Sequence, residues 1–165
     1  MKLDLREIID IPGASLPFDC ALDDGNLSFP SVANYHRPPV ARGIIKNSAG
    51  AMSLIGELSA GITAVCDRCG DFFELEKTLP LDAPLATGLI DEDNADIFAL
   101  EGDTLNLSCV LETCFILAMD AKFLCREDCA GLCERCGSNL NHGKCSCGAK
   151  LDPRLAVLEQ LLDID

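Results

Sequence analysis

The amino-acid sequence predicts an α+β fold, in which an antiparallel, barrel-like β-sheet carries a few helices and a cysteine-rich zinc-knuckle segment. Three observations support this class. Alternating apolar and polar residues fill much of the first half of the chain, as expected for half-buried strands. One later stretch has apolar residues at helical spacing. The 11 cysteines fall mainly in closely spaced pairs, a pattern that indicates metal ligands.

The first predicted strands lie in the N-terminal third of the chain. Residues 15–22 alternate, and one face carries Phe18, Cys20 and Leu22, so we expect a strand with Cys20 as a small buried hydrophobe. Residues 24–39 are rich in turn formers and are predicted to form a loop. Strands are then expected at 40–46 and 51–66, joined into a hairpin by the turn "NSAG".

The strand predicted at 51–66 leads into a pair of cysteines. Its apolar face comprises Leu58, Ala60, Ile62, Ala64 and Cys66, while Gly56 and Gly61 suggest bends or bulges. Residues 72–81 alternate in the same way and predict another half-buried strand. The sequence "CDRCG" lies between the two strands. We therefore expect a hairpin whose tip carries Cys66 and Cys69.

The second half is predicted to contain two helices. After an acidic linker at 91–96 and a short strand and turn at 97–107, the apolar stripe of the first helix, residues 107–119, comprises Leu107, Val110, Leu111, Cys114 and Ala118. Cys109 and Cys114 are expected to be packed thiols rather than ligands. A second helix is predicted at 152–163, because Asp152 suits the N-cap and Pro153 the first helical position.

These elements suggest a β-rich domain at 1–121 that includes the helix at 107–119, a zinc-binding segment at 122–150 and a C-terminal helix at 151–165 packed on the same domain. The first ten residues, "MKLDLREIID", lack the apolar region of a signal peptide, and no run of apolar residues is long enough for a membrane span. We expect a cytoplasmic protein whose thiols stay reduced.

Charge separates along the chain, whose formal net charge is −14. No Lys or Arg occurs between Lys77 and Lys122, whereas nine acidic residues do: Asp82, Asp91, Glu92, Asp93, Asp96, Glu101, Asp103, Glu112 and Asp120. Cationic residues collect elsewhere, namely Arg37, Arg42 and Lys46 in one cluster and Arg126, Arg135, Lys144 and Lys150 among the later cysteines. An acidic protein repels the phosphate backbone of nucleic acids and attracts basic partners.

Eight cysteines remain once Cys20, Cys109 and Cys114 are set aside, and they form four short pairs: Cys66/Cys69, Cys125/Cys129, Cys133/Cys136 and Cys145/Cys147. Tetrahedral zinc takes four thiolates, and two ligands on one tight turn arrive already oriented. Only eight residues separate the third pair from the fourth, so a local four-thiolate site is natural there. The first two pairs would then form a second site that links the hairpin to the C-terminal region.

Several alternatives stay open at this stage. Only one zinc ion could bind, with the other pairs free, and His142 could replace one cysteine as a ligand. Zinc is favoured over an iron–sulfur cluster because glycine follows three of the pairs, as in zinc knuckles. A thioredoxin-like role for Cys66 and Cys69 would require a βαβ context, which the sequence lacks.

The order of the motifs resembles that of the YceD family, the large ribosomal RNA subunit accumulation family. The matching segments are "AVCDRCGDFFEL" (64–75), "ALEGDTLNLSCVLETCFILAM" (99–119), "LCREDCAGLCERCGSNLNHGKCSC" (124–147) and "DPRLAVLEQL" (152–161). The resemblance covers about residues 40–162 and implies a role in the accumulation, processing or stability of 23S rRNA. All eight paired cysteines carry over. One departure is the helix at 107–119, whose few charges leave its exposed face unusually apolar.

The sequence and the resemblance together predict a non-enzymatic ribosome biogenesis factor that binds a basic large-subunit ribosomal protein, through residues 78–121, or pre-rRNA. Two alternatives remain: a zinc protein that binds RNA directly through Arg126, Arg135, Lys144 and Lys150, and a thiol oxidoreductase that uses Cys66 and Cys69. The chain has no Walker loop, no G-x-G-x-x-G motif and only two histidines. We therefore expect neither an enzyme nor a small-molecule substrate, and no membrane partner.

Overall fold

The computed structural model describes residues 1–87 and 97–147. In this part of the chain the strands and the α-helix are β1 (Lys2–Asp4), β2 (Ser15–Ala21), β3 (Val32–Ser48), β4 (Ala51–Val65), β5 (Phe72–Thr87), β6 (Phe98–Leu100), β7 (Thr104–Asn106) and α1 (Leu107–Ala118). A 3-10 turn spans Asp24–Asn26. The predicted linker at 91–96 and the predicted C-terminal helix lie outside the described residues.

The main sheet is mostly antiparallel and has the strand order β2-β3-β4-β5-β6. The expected hairpins are confirmed, but β5 and β6 run parallel, with Leu85 opposite Phe98. The sheet is not closed into a barrel, so that part of the prediction is not confirmed. Closure would require the two edge strands to pair, whereas among the described residues β2 pairs with β3 and the three-residue β6 pairs with β5.

A separate two-stranded sheet ties the N-terminus to the middle of the chain. In it β1 pairs with β7, and Leu3 lies opposite Leu105. The pairing continues beyond the strands, because the N–H of Leu5 donates to the carbonyl of Asp103 at 2.9 Å and the N-terminal amine donates to the hydroxyl of Ser108 at 2.5 Å. The side chain of Leu5 is fully buried in the hydrophobic core.

The loop predicted at 24–39 is wrong over its second half, because β3 begins at Val32. Pro38 and Pro39, which indicate a loop in the sequence, lie where the register of β3 against β4 shifts between Arg37 and Val40. Such a bulge accommodates proline, since residues there leave the regular hydrogen-bond ladder. The predicted turn after β3 is confirmed, and Ala49 and Gly50 both have positive φ, at 54° and 95°, as a two-residue hairpin turn requires.

The core lies between the apolar face of the sheet and α1. The five apolar residues predicted on one face of β4 are all buried, as are Phe18, Cys20 and Leu22. The buried stripe of α1 differs from the prediction: it includes Phe115, whereas Cys114 is half-buried and Ala118 and Cys109 are exposed. The fully buried ring of Phe115 orients the helix, since it contacts the rings of Phe29 and Tyr35 with centroids 6.0 and 6.3 Å away.

The chain divides into two compact units, and the domain boundaries predicted at residues 121 and 150 stay a prediction. The first unit comprises Met1–Asp67 and Asp71–Cys125 and contains all the strands and α1; the second comprises Arg68–Gly70 and Arg126–Asp165. No helix within residues 1–87 and 97–147 has the length and apolar character needed to cross a membrane.

Candidate metal centres

The turn between β4 and β5 presents the first pair of cysteines, Cys66 and Cys69, and both are buried. The N–H of Cys66 donates to the carbonyl of Asp71 at 2.9 Å. Gly70 has a φ of 74°, which an L side chain rarely adopts, so glycine at this position allows the tight turn. The turn thus holds two thiols at the tip of a hairpin, as the sequence predicts.

Asp67, between these two cysteines, anchors the start of the turn. Its carboxylate accepts hydrogen bonds from the hydroxyl of Ser31 and from the N–H of Phe123, both at 2.6 Å. These two donors lower the pKa of Asp67, because hydrogen bonds to a carboxylate favour its charged form. The N–H of Asp67 in turn donates to the carbonyl of Phe123 at 2.9 Å. Phe123, two residues before Cys125, is therefore fixed to the turn of the hairpin.

Backbone contacts also hold the second pair, Cys125 and Cys129, of which Cys129 is buried and Cys125 half-buried. The N–H of Cys129 donates to the carbonyl of Arg126 at 3.2 Å. The guanidinium of Arg68 donates to the carbonyls of Glu127 and Cys129 at 3.1 and 3.2 Å. Arg68 lies inside the "CDRCG" turn, so a cation within that motif satisfies carbonyls of the segment around Cys129.

The eight paired cysteines form two groups, and these are the groups that the spacing predicts. In each group the four sulfur atoms lie within 4.8 Å of one another: Cys66, Cys69, Cys125 and Cys129 form group A, and Cys133, Cys136, Cys145 and Cys147 form group B. Four thiols at such distances suit a tetrahedral metal ion. Each group could hold one, and neither includes Cys20, Cys109, Cys114 or His142.

The first two cysteines of group B, Cys133 and Cys136, lie on a turn that resembles the one carrying Cys66 and Cys69. Gly137, which follows Cys136, has a φ of 72°, and its N–H donates to the carbonyl of Cys133 at 2.9 Å. The N–H of Cys133 donates to the carbonyl of Ser138 at 2.8 Å. Group B is more open to solvent than group A, because Cys136 is exposed and the other three cysteines are half-buried.

Hydrogen bonds divide the thiols of group B into two kinds. The hydroxyl and the N–H of Ser138 lower the pKa of Cys136 to about 6, and the N–H groups of Cys136 and Arg135 lower the pKa of Cys133. The hydrogen bond of the Cys147 thiol to the sulfur of Cys136 raises the pKa of Cys147 to about 12, and that of the Cys145 thiol to the sulfur of Cys133 raises the pKa of Cys145. The knuckle amides thus favour the thiolate, which is the form that binds metals.

Asn141 contributes to the surroundings of group A from the loop that joins the two pairs of group B. Its Nδ2 donates to the sulfur of Cys129 at 3.3 Å, and its Oδ1 accepts from Arg126 at 2.5 Å and from the N–H of Ala130 at 2.8 Å. Sequence reasoning missed Asn141, as well as Ser138 and Asp67. For Asp67 and Ser138 the available signal is their place within or just after a cysteine turn, where Asp and Ser commonly hydrogen-bond the backbone; Asn141 has no such signal.

The cationic residues considered for RNA binding differ in their contacts. Arg126 bonds Asn141 and forms an ion pair with Asp128 at 3.4 Å, whereas Arg135 and Lys144 are exposed and form no ion pair among the described residues. Lys150 lies outside those residues. In the other cluster Arg37 pairs with Glu76, Arg42 pairs with Asp19 at 2.9 Å, and Lys46 is exposed.

A comparison with protein families gives a match over most of the chain. The family model described as "Large ribosomal RNA subunit accumulation protein YceD" matches residues 54–162, which is well over half of the chain and includes both cysteine groups. No curated protein and no solved structure matches the chain.

Proposed function

Since the chain belongs to the YceD family of large ribosomal RNA subunit accumulation proteins, we propose that it is a non-enzymatic ribosome biogenesis factor. It supports the synthesis, processing or stability of 23S rRNA, and it acts in the cytoplasm. The observation that carries this proposal is the family match over residues 54–162. The cysteine groups add support of a different kind, because four protein ligands leave no position for a substrate on the metal.

The proposed partner is a basic protein of the large ribosomal subunit. The net charge of −14 favours encounter with a cationic surface. Part of the negative charge in residues 78–121 is already paired, since Glu101 bonds Lys2 at 2.6 Å and Asp120 bonds Lys77. Asp82, Asp103 and Glu112 form no ion pair within the described part of the chain, so among the described residues these three carboxylates support the attraction that we propose.

The proposed cofactor is zinc, with one structural ion in each cysteine group. A structural role is supported by burial, because the only buried apolar side chain within residues 126–147 is that of Cys129. A segment with so little core needs another source of stability, which a metal with four thiolate ligands supplies. When bound, zinc would hold the thiolates together without redox chemistry, and iron–sulfur clusters remain the competing occupant.

Direct RNA binding is the second candidate, and one observation favours it: Arg135 and Lys144 are exposed next to ligands of group B, with no ion pair within the described residues. Zinc knuckles can present such side chains to unpaired RNA. The thiol oxidoreductase alternative is less well supported. Cys66 and Cys69 are buried and share group A with two further sulfurs, an arrangement typical of a metal centre rather than of an exposed redox pair.

The test has two parts. The tagged full chain is pulled down from cells with and without RNase treatment, and the 23S to 16S rRNA ratio is measured separately in cells depleted of the protein. We expect the ratio to fall on depletion and a basic large-subunit protein to stay bound after RNase. The variant Asp82→Lys should weaken that binding, whereas Arg135→Glu with Lys144→Glu should not.

The opposite pattern would identify RNA as the partner. In that case the co-purified proteins are lost from the pull-down after RNase, and 23S rRNA fragments are enriched in the untreated sample. The double variant Arg135→Glu with Lys144→Glu abolishes this enrichment. An unchanged 23S ratio after depletion would contradict the proposed function itself.

A further inference from the structure

An open groove of about 330 Å³ lies between α1 and the last part of β5. Its lining includes Pro80, Asp82, Pro84, Phe98, Cys114 and Leu117. Leu117 is 76% exposed, which is unusual for a leucine beside other apolar side chains. The groove thus combines an apolar wall with a large side chain that the described residues leave uncovered, as expected of a binding surface.

The edge of β5 beside this groove is unsuited to an added strand. On its other side β5 pairs with β4 from Phe72 to Leu85, whereas β6 pairs only with Leu85–Thr87. Pro80 and Pro84 have no N–H, and proline occurs in sheets where that missing donor faces an unpaired edge. An approaching strand would therefore find two donors absent within five residues.

An apolar groove beside a blocked strand edge suits the side chains of a helix instead. Two turns of an amphipathic helix place apolar residues at i, i+3, i+4 and i+7 along one stripe. Such a stripe can contact Leu117, Cys114 and Phe98 together, since all three line the groove. The helix supplies its own backbone hydrogen bonds and needs none from β5.

Charge indicates which helix would bind. Every residue that lines the groove falls within the stretch between Lys77 and Lys122, which contains no Lys or Arg, and Asp82 is the charged residue in the lining. The lining therefore offers no cation to a phosphate. A second copy of the chain would bring another net charge of −14, which opposes self-association.

We propose that this groove binds a basic amphipathic helix of a partner protein. The apolar stripe of the helix covers Leu117, Cys114 and Phe98, and a Lys or Arg beside the stripe reaches Asp82. This inference rests on the proposed function only in taking a basic protein as the partner, and it specifies where that partner binds and in what form.

The test uses the full-length protein and a synthetic probe. The probe is an amphipathic peptide of about 18 residues with Leu on one helical stripe and Lys elsewhere, and the control peptide has the same composition in scrambled order. Leu117→Lys removes the exposed apolar contact and adds repulsion. Ile116→Lys is the matched control, because Ile116 is its neighbour, 50% exposed and absent from the groove.

We expect Leu117→Lys to weaken peptide binding roughly tenfold or more, as for a central apolar anchor, and Ile116→Lys to leave it nearly unchanged. Bound peptide should also slow alkylation of Cys114, which lines the groove, but not of Cys109, which is exposed elsewhere on α1. The inference is overturned if the scrambled peptide binds equally well, or if both lysine variants lose the same affinity.

Two further outcomes separate this inference from the proposed function. If the free protein is a dimer that Leu117→Lys dissociates, the occupant is a second copy and the basic helix is ruled out. If depletion of the protein leaves 23S rRNA unchanged, the proposed function fails while groove binding by the peptide still stands. If the rRNA falls but Leu117→Lys binds the peptide like the wild type, the function stands and the groove is not the site.

Discussion

Replacement of Asn141 by alanine should weaken metal binding at group A and leave group B nearly unchanged. Asn141 lies in the loop between the two pairs of group B, but its side-chain Nδ2 donates to the sulfur of Cys129, a member of group A, at 3.3 Å. Its Oδ1 also fixes the N–H of Ala130 at 2.8 Å. Asn141→Ala removes all these contacts while sparing every thiol.

The size of the effect follows from these contacts. An N–H donor stabilises a thiolate, and removing such a residue behind a metal ligand typically lowers metal affinity about 10–100-fold. This corresponds to about 1.4–2.7 kcal/mol. We expect the middle of that range, because one of the lost contacts reaches the sulfur itself and the other two hold the segment that carries it.

The assay is stepwise zinc release from the full chain to a chromophoric chelator. The matched variant is Ser138→Ala, which removes a hydroxyl that lies 3.1 Å from the sulfur of Cys136 in group B. Asn141→Ala should shift one release step and Ser138→Ala the other, the latter by a smaller factor because Cys136 is exposed to water.

Two results would refute this reasoning. If Asn141→Ala shifts neither step, the hydrogen bond to Cys129 does not affect metal affinity. If it shifts the same step as Ser138→Ala, the residue acts through the loop of group B that carries it, and its contact with group A is incidental.

Three further predictions can be checked separately. Cys136→Ser should lower the bound zinc from about two ions per chain to about one, by metal analysis, and retention of two would contradict a separate group B. Burial raises the pKa of Tyr35 to about 12, so the stability due to its protonated form should persist below about pH 10 and disappear as the pH rises toward 12. Because Tyr35 is the single tyrosine, its ionisation can be followed directly by ultraviolet absorbance. A titration midpoint near 10 in a protein whose circular dichroism is still native would be incompatible with this burial. Asn47→Ala should cost about 2–4 kcal/mol in urea unfolding, because the buried side chain donates to Ile8 and Ile9 and accepts from Gly50, whereas the exposed Asn34→Ala on the same strand should stay within about 0.5 kcal/mol.

Features that depend on nearby residues could be predicted from the sequence. The alternation in β2, β4 and β5 indicates which side chains are buried, because neighbours on a strand face opposite sides. The spacing of the cysteines identifies the four pairs, and the eight-residue link between the third and fourth pairs favours group B, which leaves the other two pairs for group A. The family could also be recognised from the motifs around these pairs.

Features that depend on distant residues could not be predicted. The start of β3 at Val32 requires a bulge opposite β4 that admits two prolines, and β1 is a three-residue strand whose partner lies at Thr104–Asn106. The stripe of α1 depends on where the ring of Phe115 finds Phe29 and Tyr35. Asn141 has no local sign of its role, because its bond to Cys129 spans 12 residues.

The pairing of β1 with β7 has a consequence for the order in which the chain folds as it is synthesised. Leu3 and Leu5 leave the ribosome roughly a hundred residues, or about 5–20 s of translation, before the strand and carbonyl that receive them. Until then β1 has no partner strand, whereas the hairpins of the main sheet can already form because their strands are close in the chain. Strand β1 is thus synthesised long before its partner, and a chain that stops before Thr104 leaves it unpaired.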